Sequence, residues 1–194
     1  MSINKNTSNV NTKDKIIKTA ARLFSQRSYY GVSMDKIAFE VGVSKSTLYY
    51  YFESKEQLLK TVLNTSCTRL KEKLSEVVYD SKDPIDFIFS IVRMIVDYGI
   101  ANPEIKLLTS LGITGQDEFP VTKFIVELRT ELLIFIRELL GSVSLFKKWT
   151  FKVLSVVSMN ILSFALNPFI QDLQDSDEIT EKFSSMLSKS IESN

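Results

Sequence analysis

Residues 33–55 have the sequence SMDKIAFEVGVSKSTLYYYFESK, which predicts two short helices and the start of a third. Ser33 is the predicted N-cap of the first helix. Gly42 is the residue best able to leave that helix through a left-handed conformation, and Ser44 is the predicted N-cap of the second. The first helix carries apolar residues at helical spacing, namely Met34, Ile37, Ala38 and Val41.

The second of these helices has one apolar face, on which Leu48 and Phe52 lie four residues apart. Its other face offers small hydroxyls, a cation and phenols, and such a helix can enter a major groove and donate to phosphates and base edges. The short turn and its glycine fit a helix-turn-helix. The alternative is a solvated face on an ordinary three-helix bundle, which leaves three consecutive tyrosines without a function. The residues of this face are Lys45, Ser46, Thr47, Tyr49, Tyr50 and Tyr51.

The stretch resembles the DNA-binding segment of the TetR family of transcriptional regulators. The residues that carry the resemblance are GVS at 42–44, STLYYYF at 46–52 and SKEQLL at 54–59. The clear resemblance covers roughly residues 13–60, and beyond it only length, helicity and layout agree. It implies an all-α protein that binds double-stranded operator DNA as a homodimer and responds to a small molecule.

The resemblance also implies roles for the residues of the second helix. Residues 45–47 lie where the family's helix meets base edges and nearby backbone. Tyr49 and Tyr51 lie where the family uses hydroxyl contacts to phosphate, whereas Tyr50 is expected to be partly a packing residue.

Two further residues are expected to hold phosphate, Ser33 through a helix N-terminus and Lys55 through its charge. The predicted DNA-binding residues are therefore Ser33, Ser44, Lys45, Ser46, Thr47, Tyr49, Tyr50, Tyr51 and Lys55.

The segment before residue 33 is predicted to be a disordered tail over residues 1–11 and then a helix from about Lys13 to Gln26. Ser54 and Gln57 form a capping box that begins a fourth helix, which is predicted to run to about Tyr79. The first three helices should share a small core of Phe24, Ile37, Ala38, Val41, Val43, Leu48 and Phe52.

The remaining chain is predicted to be helical throughout, because proline, glycine and capping residues separate long apolar segments. The fold class is all-α with about nine helices: an N-terminal three-helix helix-turn-helix domain and a larger helical ligand-binding and dimerisation domain. The predicted parts are a tail at 1–11, a DNA-binding domain at 12–55 and an effector-binding and dimerisation domain at 56–194. The later helices are expected at about 84–100, 120–141, 145–166 and 176–192. A further short helix is expected to end at Gly112.

The apolar helices of the second domain allow two interpretations. They form a plain core, or, as the resemblance suggests, they enclose a mostly apolar effector cavity with a few polar groups. The candidate polar groups are Tyr98, Thr109, Trp149, Ser155 and Asn160. A hydrophobic effector is the hypothesis, because ionisable residues are sparse on the helix at 84–100.

The last two predicted helices are expected to form the subunit interface, because apolar residues spread around much of the helix at 145–166. The resemblance implies a four-helix bundle across a two-fold axis, which suits a palindromic site. The alternative is that these residues pack within one chain. The candidate interface residues are Val157, Ile161, Phe164, Phe183 and Leu187.

Composition weakens several interpretations of the chain. The 194 residues contain no histidine and a single cysteine, Cys67, which removes the commonest general base, the commonest zinc ligand and any internal disulfide. We therefore expect no metal, no cofactor and no enzyme activity. The chain shows no signal peptide and no apolar run of about 18 residues, so a cytoplasmic protein without a membrane span is expected.

Charge is placed unevenly along the chain. Residues 1–60 contain ten lysines and arginines and five acids, whereas residues 61–194 contain fourteen and eighteen. The basic excess coincides with the predicted helix-turn-helix, where a phosphate-binding surface needs it. The sequence thus predicts a ligand-released repressor that binds a palindromic operator as a dimer. The alternatives are a DNA-binding regulator without a small-molecule effector and a helical carrier or enzyme.

Overall fold

The computed structural model describes residues 5–27, 29–76, 84–106, 108, 121–148, 157–159, 161–163, 165, 182 and 185. Every regular element in these ranges is helical, which confirms the all-α prediction. The predicted total of about nine helices includes segments outside these ranges. The α-helices with defined ends are α1 (Lys5–Gln26), α2 (Met34–Val41), α3 (Lys45–Tyr51), α4 (Lys55–Ser75), α5 (Pro84–Ala101) and α6 (Thr122–Ser142). Short 3-10 turns lie at Tyr29–Gly31, Pro103–Lys106 and Ser144–Phe146.

The predicted starts of α2, α3 and α4 are confirmed, and each has a serine cap. The hydroxyls of Ser33, Ser44 and Ser54 each accept a hydrogen bond from the backbone N–H three residues later, at 3.1, 3.0 and 3.1 Å. The capping box differs in one detail, since Gln57 Oε1 accepts from the backbone N–H of Glu53 rather than that of Ser54. Each cap satisfies a donor that the first helical turn leaves unpaired.

Gly42 ends α2 in the left-handed conformation that its sequence position predicts, with φ 78°. Its N–H donates to the carbonyls of Ala38 and Phe39 at 3.0 and 3.1 Å, and the N–H of Val43 also donates to Ala38, at 3.0 Å. These bonds satisfy carbonyls at the end of α2 and turn the chain towards α3.

Replacing Gly42 with alanine should lower the free energy of unfolding by about 1–2 kcal/mol, because an alanine resists the left-handed region. A Cβ at this position meets nothing within 4 Å, so the backbone conformation alone sets the cost. Asparagine tolerates this region better, and Gly42→Asn should lose less. Urea unfolding of the three proteins measures both effects. An alanine variant as stable as the parent would show that the left-handed conformation at residue 42 does not disfavour alanine.

Two helix ends differ from the prediction. Helix α1 begins at Lys5 rather than at about Lys13, so residues 5–11 of the predicted disordered tail are helical. Extending an existing helix avoids the cost of nucleation, and polar residues can therefore continue a helix that is packed further along. Helix α4 ends at Ser75 rather than at Tyr79, which lies outside the described residues.

The predicted core of the first three helices is confirmed. Phe24, Ile37, Ala38, Val41, Leu48 and Phe52 are buried, and Val43 is half-buried against them. Helix α4 continues this core into the rest of the chain, because its buried residues extend from Leu58 to Leu74. It packs on α1 at one end and on α5 and α6 beyond. Both parts of the molecule therefore share one helix.

Two of the predicted interface residues pack inside the single chain. Val157 and Ile161 are buried, together with Ala165 on the same helical face, whereas Met159 and Ser163 are exposed. Their assignment to a subunit interface is therefore corrected. Apolar residues on several faces of a helix do not reveal which face meets a partner. The other predicted interface residues, Phe164, Phe183 and Leu187, lie outside the described side chains.

A buried polar contact joins α4 to the Pro103–Lys106 turn. The Ser66 hydroxyl donates to the Glu104 carboxylate, and both residues are buried. The Tyr98 hydroxyl of α5 donates to the Ser66 backbone carbonyl at 2.9 Å. Because buried polar groups are costly without partners, these bonds fix α4, α5 and the turn relative to one another.

Cys67 should make stability fall at alkaline pH. Burial raises the pKa of its thiol from 9.0 to about 12. Between these values the unfolded state binds fewer protons, so the free energy of unfolding falls as pH rises through 9 towards 12. By pH 10 the loss is about 1.4 kcal/mol. Urea unfolding at pH 8 and pH 10 should show this component in the parent and not in Cys67→Ala. Equal losses in the two proteins would contradict the prediction.

Candidate nucleic-acid interface

The face of α3 that is directed away from the core offers polar and aromatic side chains to solvent. Leu48 is the buried residue of this helix. Lys45 and Ser46 are exposed, Tyr49 is 41% exposed and Tyr50 is 77% exposed. The arrangement agrees with the predicted face at Lys45, Ser46, Tyr49 and Tyr50, whereas Thr47 and Tyr51 are partly buried.

Three hydroxyls meet at the first turn of α3. Ser44 Oγ lies 2.9 Å from Ser46 Oγ and 2.7 Å from Thr47 Oγ1. The same Ser44 oxygen accepts the Thr47 N–H. The cap therefore orients the two following hydroxyls. Rotation of their O–H bonds away from Ser44 lets them donate to phosphates or base edges without a change of backbone.

Lys45 is held by a residue that the sequence analysis did not single out. Its ammonium contacts the Asp35 carboxylate of α2, at 2.8 Å to Oδ1 and 3.1 Å to Oδ2. The hydrogen bond to Asp35 raises the pKa of Lys45 above its ordinary value. Both side chains are exposed, so the pair contributes little stability, but it directs the lysine across the α2–α3 surface. A contact between residues ten apart on two helices has no local sequence signal.

Lys55 is bound within the chain rather than freely displayed. Its ammonium donates to the carbonyls of Tyr29 and Val32 at 3.0 and 2.9 Å, and it lies 4.2 Å from the centre of the Tyr29 ring. Burial lowers the pKa of Lys55 below its ordinary value. The first turn of α4 thereby holds the segment between α1 and α2, a role that the sequence analysis missed.

The packing role predicted for Tyr50 belongs to Tyr51. Tyr51 is half-buried against the core, whereas Tyr50 projects into solvent. Their rings contact edge to face, with centroids 5.2 Å apart. Helical spacing explains the correction, because residue 51 lies three positions after the buried Leu48 and residue 50 lies on the opposite side.

A shallow groove of about 360 Å³ lies between α2, α3 and the start of α4. It carries both signs of charge, since Lys45 and Lys55 are accompanied by Asp35 and Glu53. The N-termini of α2 and α4 both border it, and helix N-termini favour phosphate. The groove thus combines two helix N-termini with two lysines and two acids, and Asp35 is already paired with Lys45. Its lining residues are Ser33, Met34, Asp35, Lys45, Tyr49, Glu53, Ser54 and Lys55.

An ion-pair network fixes α2 on α1. Glu40 accepts from Arg22 at 2.9 Å and from Lys36 at 2.8 Å. Hydrogen bonds from Lys36 and Arg22 lower the pKa of the Glu40 carboxyl. The network lies at the surface, so its effect is orientation of the helices more than stability.

The predicted effector residues are mostly outside the described part of the chain, where Thr109, Trp149, Ser155 and Asn160 fall. Tyr98 is described, and its hydroxyl is used in the contact with the Ser66 carbonyl. Burial raises the pKa of Tyr98 to about 12. Among the described residues, no group of three or more candidate metal-binding side chains comes together. Within the same ranges, no helix has the length and apolar character needed to cross a bilayer.

The N-terminal segment is similar to known regulatory proteins. Residues 16–62 match the family model described as "Bacterial regulatory proteins, tetR family". The HTH-type transcriptional repressor NicS of Pseudomonas putida is 30% identical over 93 residues, which are 48% of this chain and 44% of that protein. The matched part therefore spans less than half of this curated relative.

Two solved structures share the fold over most of the chain. The fatty acid degradation regulator FadR from Bacillus halodurans has a TM-score of 0.68 at 21% identity, covering 90% of this chain and 93% of that one. AibR, solved in complex with isovaleryl coenzyme A and operator DNA, has a TM-score of 0.64 at 20% identity. The match covers 90% of this chain and 97% of AibR. At these identities the likeness concerns the fold.

Proposed function

We propose that the chain is a DNA-binding transcriptional repressor of the tetR family, because residues 16–62 match the model of that family and a related protein is a transcriptional repressor. The observation that carries the proposal is the geometry of α3. This helix is capped by Ser44, anchored by Leu48 and followed by the buried Phe52, while its other face is exposed. Its side chains are therefore oriented before any ligand binds.

In the proposed complex, α3 lies in the major groove. Ser46 and Thr47 contact base edges and nearby backbone, together with Lys45 once DNA competes with Asp35 for its ammonium. Tyr49 and Tyr50 extend from the exposed side towards phosphate. Ser33 and the N-termini of α2 and α4 border the groove that receives the DNA backbone.

We propose that two copies of the chain bind together, because two α3 helices related by a two-fold axis suit a palindromic site. Phe164, Phe183 and Leu187 remain the proposed interface residues, whereas the burial of Val157 and Ile161 places these two in the core. Sedimentation at micromolar concentration should give the mass of a dimer. The mass of a single chain would exclude the arrangement.

We further propose that a small molecule releases the repressor from DNA. AibR, a structural neighbour, was solved with isovaleryl coenzyme A and operator DNA, and this makes an effector with an apolar acyl part a reasonable class. A ligand changes DNA affinity only through its different affinity for the two conformations. Helix α4 would carry the change, since Ser66 joins it to the Glu104 turn and its first turn holds the DNA-binding part through Lys55.

A regulator without a small-molecule effector is the second candidate. The repressor with an effector and the regulator without one share the same DNA-binding geometry. Titration of the DNA complex with acyl compounds separates the two candidates. The relative NicS is a transcriptional repressor. This supports a non-enzymatic protein that binds DNA in the cytoplasm.

The experiment that tests the proposed function is selection of duplexes from a random-sequence pool, followed by binding measurements at several salt concentrations. The selected sites should be palindromic and bind at least about 10³-fold tighter than a scrambled duplex. Affinity should fall steeply with salt, because phosphate contacts release counterions. Equal affinity for selected and scrambled duplexes would overturn the proposal.

A further inference from the structure

A second cleft, of about 460 Å³, lies between α1, α4 and the segment from Ala101 to Glu104. It shares no lining residue with the groove at α3, and none of the predicted effector residues lines it. Its volume is in the range of small-molecule sites. Part of its wall is apolar, formed by Ile17, Ala21, Val62, Ala101 and Pro103.

Cations from two helices line this cleft. Arg22 of α1 is engaged by Glu40 and Gln26. Lys18 of α1 and Arg69 of α4 are exposed, and neither has a hydrogen bond or ion pair among the described residues. Two cations from different helices are therefore available to a ligand that enters from solvent.

The acid of the cleft is already engaged. Glu104 is 7% exposed, and its carboxylate accepts the Ser66 hydroxyl. With Arg22 paired to Glu40, Lys18 and Arg69 line the cleft against one carboxylate, so its charge favours an anion. Serine and threonine hydroxyls at Ser25 and Thr65 add hydrogen-bonding capacity to the same wall.

We propose that this cleft binds a small organic anion, with a carboxylate or phosphate head on Lys18 and Arg69 and a short apolar body against Ile17, Ala21 and Val62. Guanidinium and ammonium groups are the usual partners of such heads. The site is separate from the effector cavity of the proposed function.

A ligand in the cleft contacts both sides of the junction between the DNA-binding helices and the rest of the chain. Helix α1 packs on the Pro103–Lys106 turn, and α4 packs on both. A bound anion joins α1 to α4 at Lys18 and Arg69 and also touches the turn. If the separation of these elements changes when DNA binds, the anion and DNA must alter each other's affinity by the same factor.

The test is calorimetric titration of the full chain at constant ionic strength with four probes: phenyl phosphate, benzoate, inorganic phosphate and benzyl alcohol. Phenyl phosphate or benzoate should bind once per chain and more tightly than inorganic phosphate or benzyl alcohol. The order of the first two tells which head the site takes. Arg69→Gln and Lys18→Gln should each weaken binding by about tenfold, the loss of one charged hydrogen bond.

Arg93→Gln provides the control, because it removes an exposed arginine of α5 that does not line the cleft. Binding weakened by the two cleft variants and unchanged in the control supports the proposal, and any other pattern overturns it. Circular dichroism melting verifies that each variant is folded. The titration needs no DNA. Failure of operator binding would therefore contradict the proposed function without affecting the measured binding of the anion.

Discussion

Lys55→Met should lower the free energy of unfolding by about 2 kcal/mol and weaken DNA binding by about tenfold or more. Methionine keeps the length of the side chain and removes the ammonium, which donates to the carbonyls of Tyr29 and Val32 at 3.0 and 2.9 Å. Hydrogen bonds from a charged donor are worth about 1.5–3 kcal/mol, and partly buried carbonyls lose their donor. The segment between α1 and α2 then becomes less fixed, and with it the position of α2 and α3.

The matched control is Lys60→Met, five residues further along α4. Lys60 pairs with Glu56 at 2.6 Å on the surface, and such pairs contribute about 0–1 kcal/mol. Urea unfolding and DNA titration of the two variants give the comparison. If Lys55→Met kept its stability and lost affinity together with about one unit of salt slope, Lys55 would act as a direct phosphate contact. Its role in positioning the segment would then be wrong.

Leu48→Ala should lower the free energy of unfolding by about 3 kcal/mol and abolish measurable DNA binding. Leu48 is the buried residue of α3, and it lies in the core that α1, α2 and α4 share. Removal of a buried leucine costs about 2–5 kcal/mol through lost burial and the remaining cavity. Helix α3 has seven residues, too few to be stable alone in water, so its orientation depends on this anchor.

Tyr50→Ala is the control for stability in the same helix. Tyr50 is 77% exposed, and its removal should change the free energy of unfolding by no more than about 0.5 kcal/mol. Chemical unfolding monitored by circular dichroism measures the free energy of unfolding of the two variants. A Leu48→Ala protein that still bound DNA with parental affinity would show that the position of α3 does not depend on its core contact.

The parts of the fold that the sequence predicts correctly are those with local signals. Helices α2, α3 and α4 begin where predicted because each serine cap bonds a backbone group only three residues away. Gly42 ends α2 for an equally local reason, its positive φ. The start of α1 has no such signal, and its helix extends eight residues beyond the predicted start at Lys13 towards Lys5.

The candidate site was predicted less completely, because its orientation depends on contacts between distant residues. Lys55 meets carbonyls 26 and 23 positions away, and Lys45 meets Asp35 ten positions away. No sequence pattern identifies either pair. Tyr50 and Tyr51 are a different case, since the spacing from Leu48 already assigns Tyr51 to the buried side.

The helix around Val157 and Ile161 illustrates a limit of hydrophobic patterning. Apolar residues on several faces predict burial, but they do not distinguish the core of one chain from an interface between two. The structure assigns Val157 and Ile161 to the core by their burial in a single chain. The same pattern leaves Phe164, Phe183 and Leu187 as interface predictions.

We expect the exposed face of α3 to read DNA sequence, and the base preference of a Lys45→Ala variant separates base contacts from backbone contacts. The variant and the parent are each used to select duplexes from the same random pool. Because side chains at base edges specify sequence, we expect preference to be lost at one position in each half-site while the remaining positions are kept. The same selected site with the same affinity in both proteins would contradict the assignment of Lys45 to base edges.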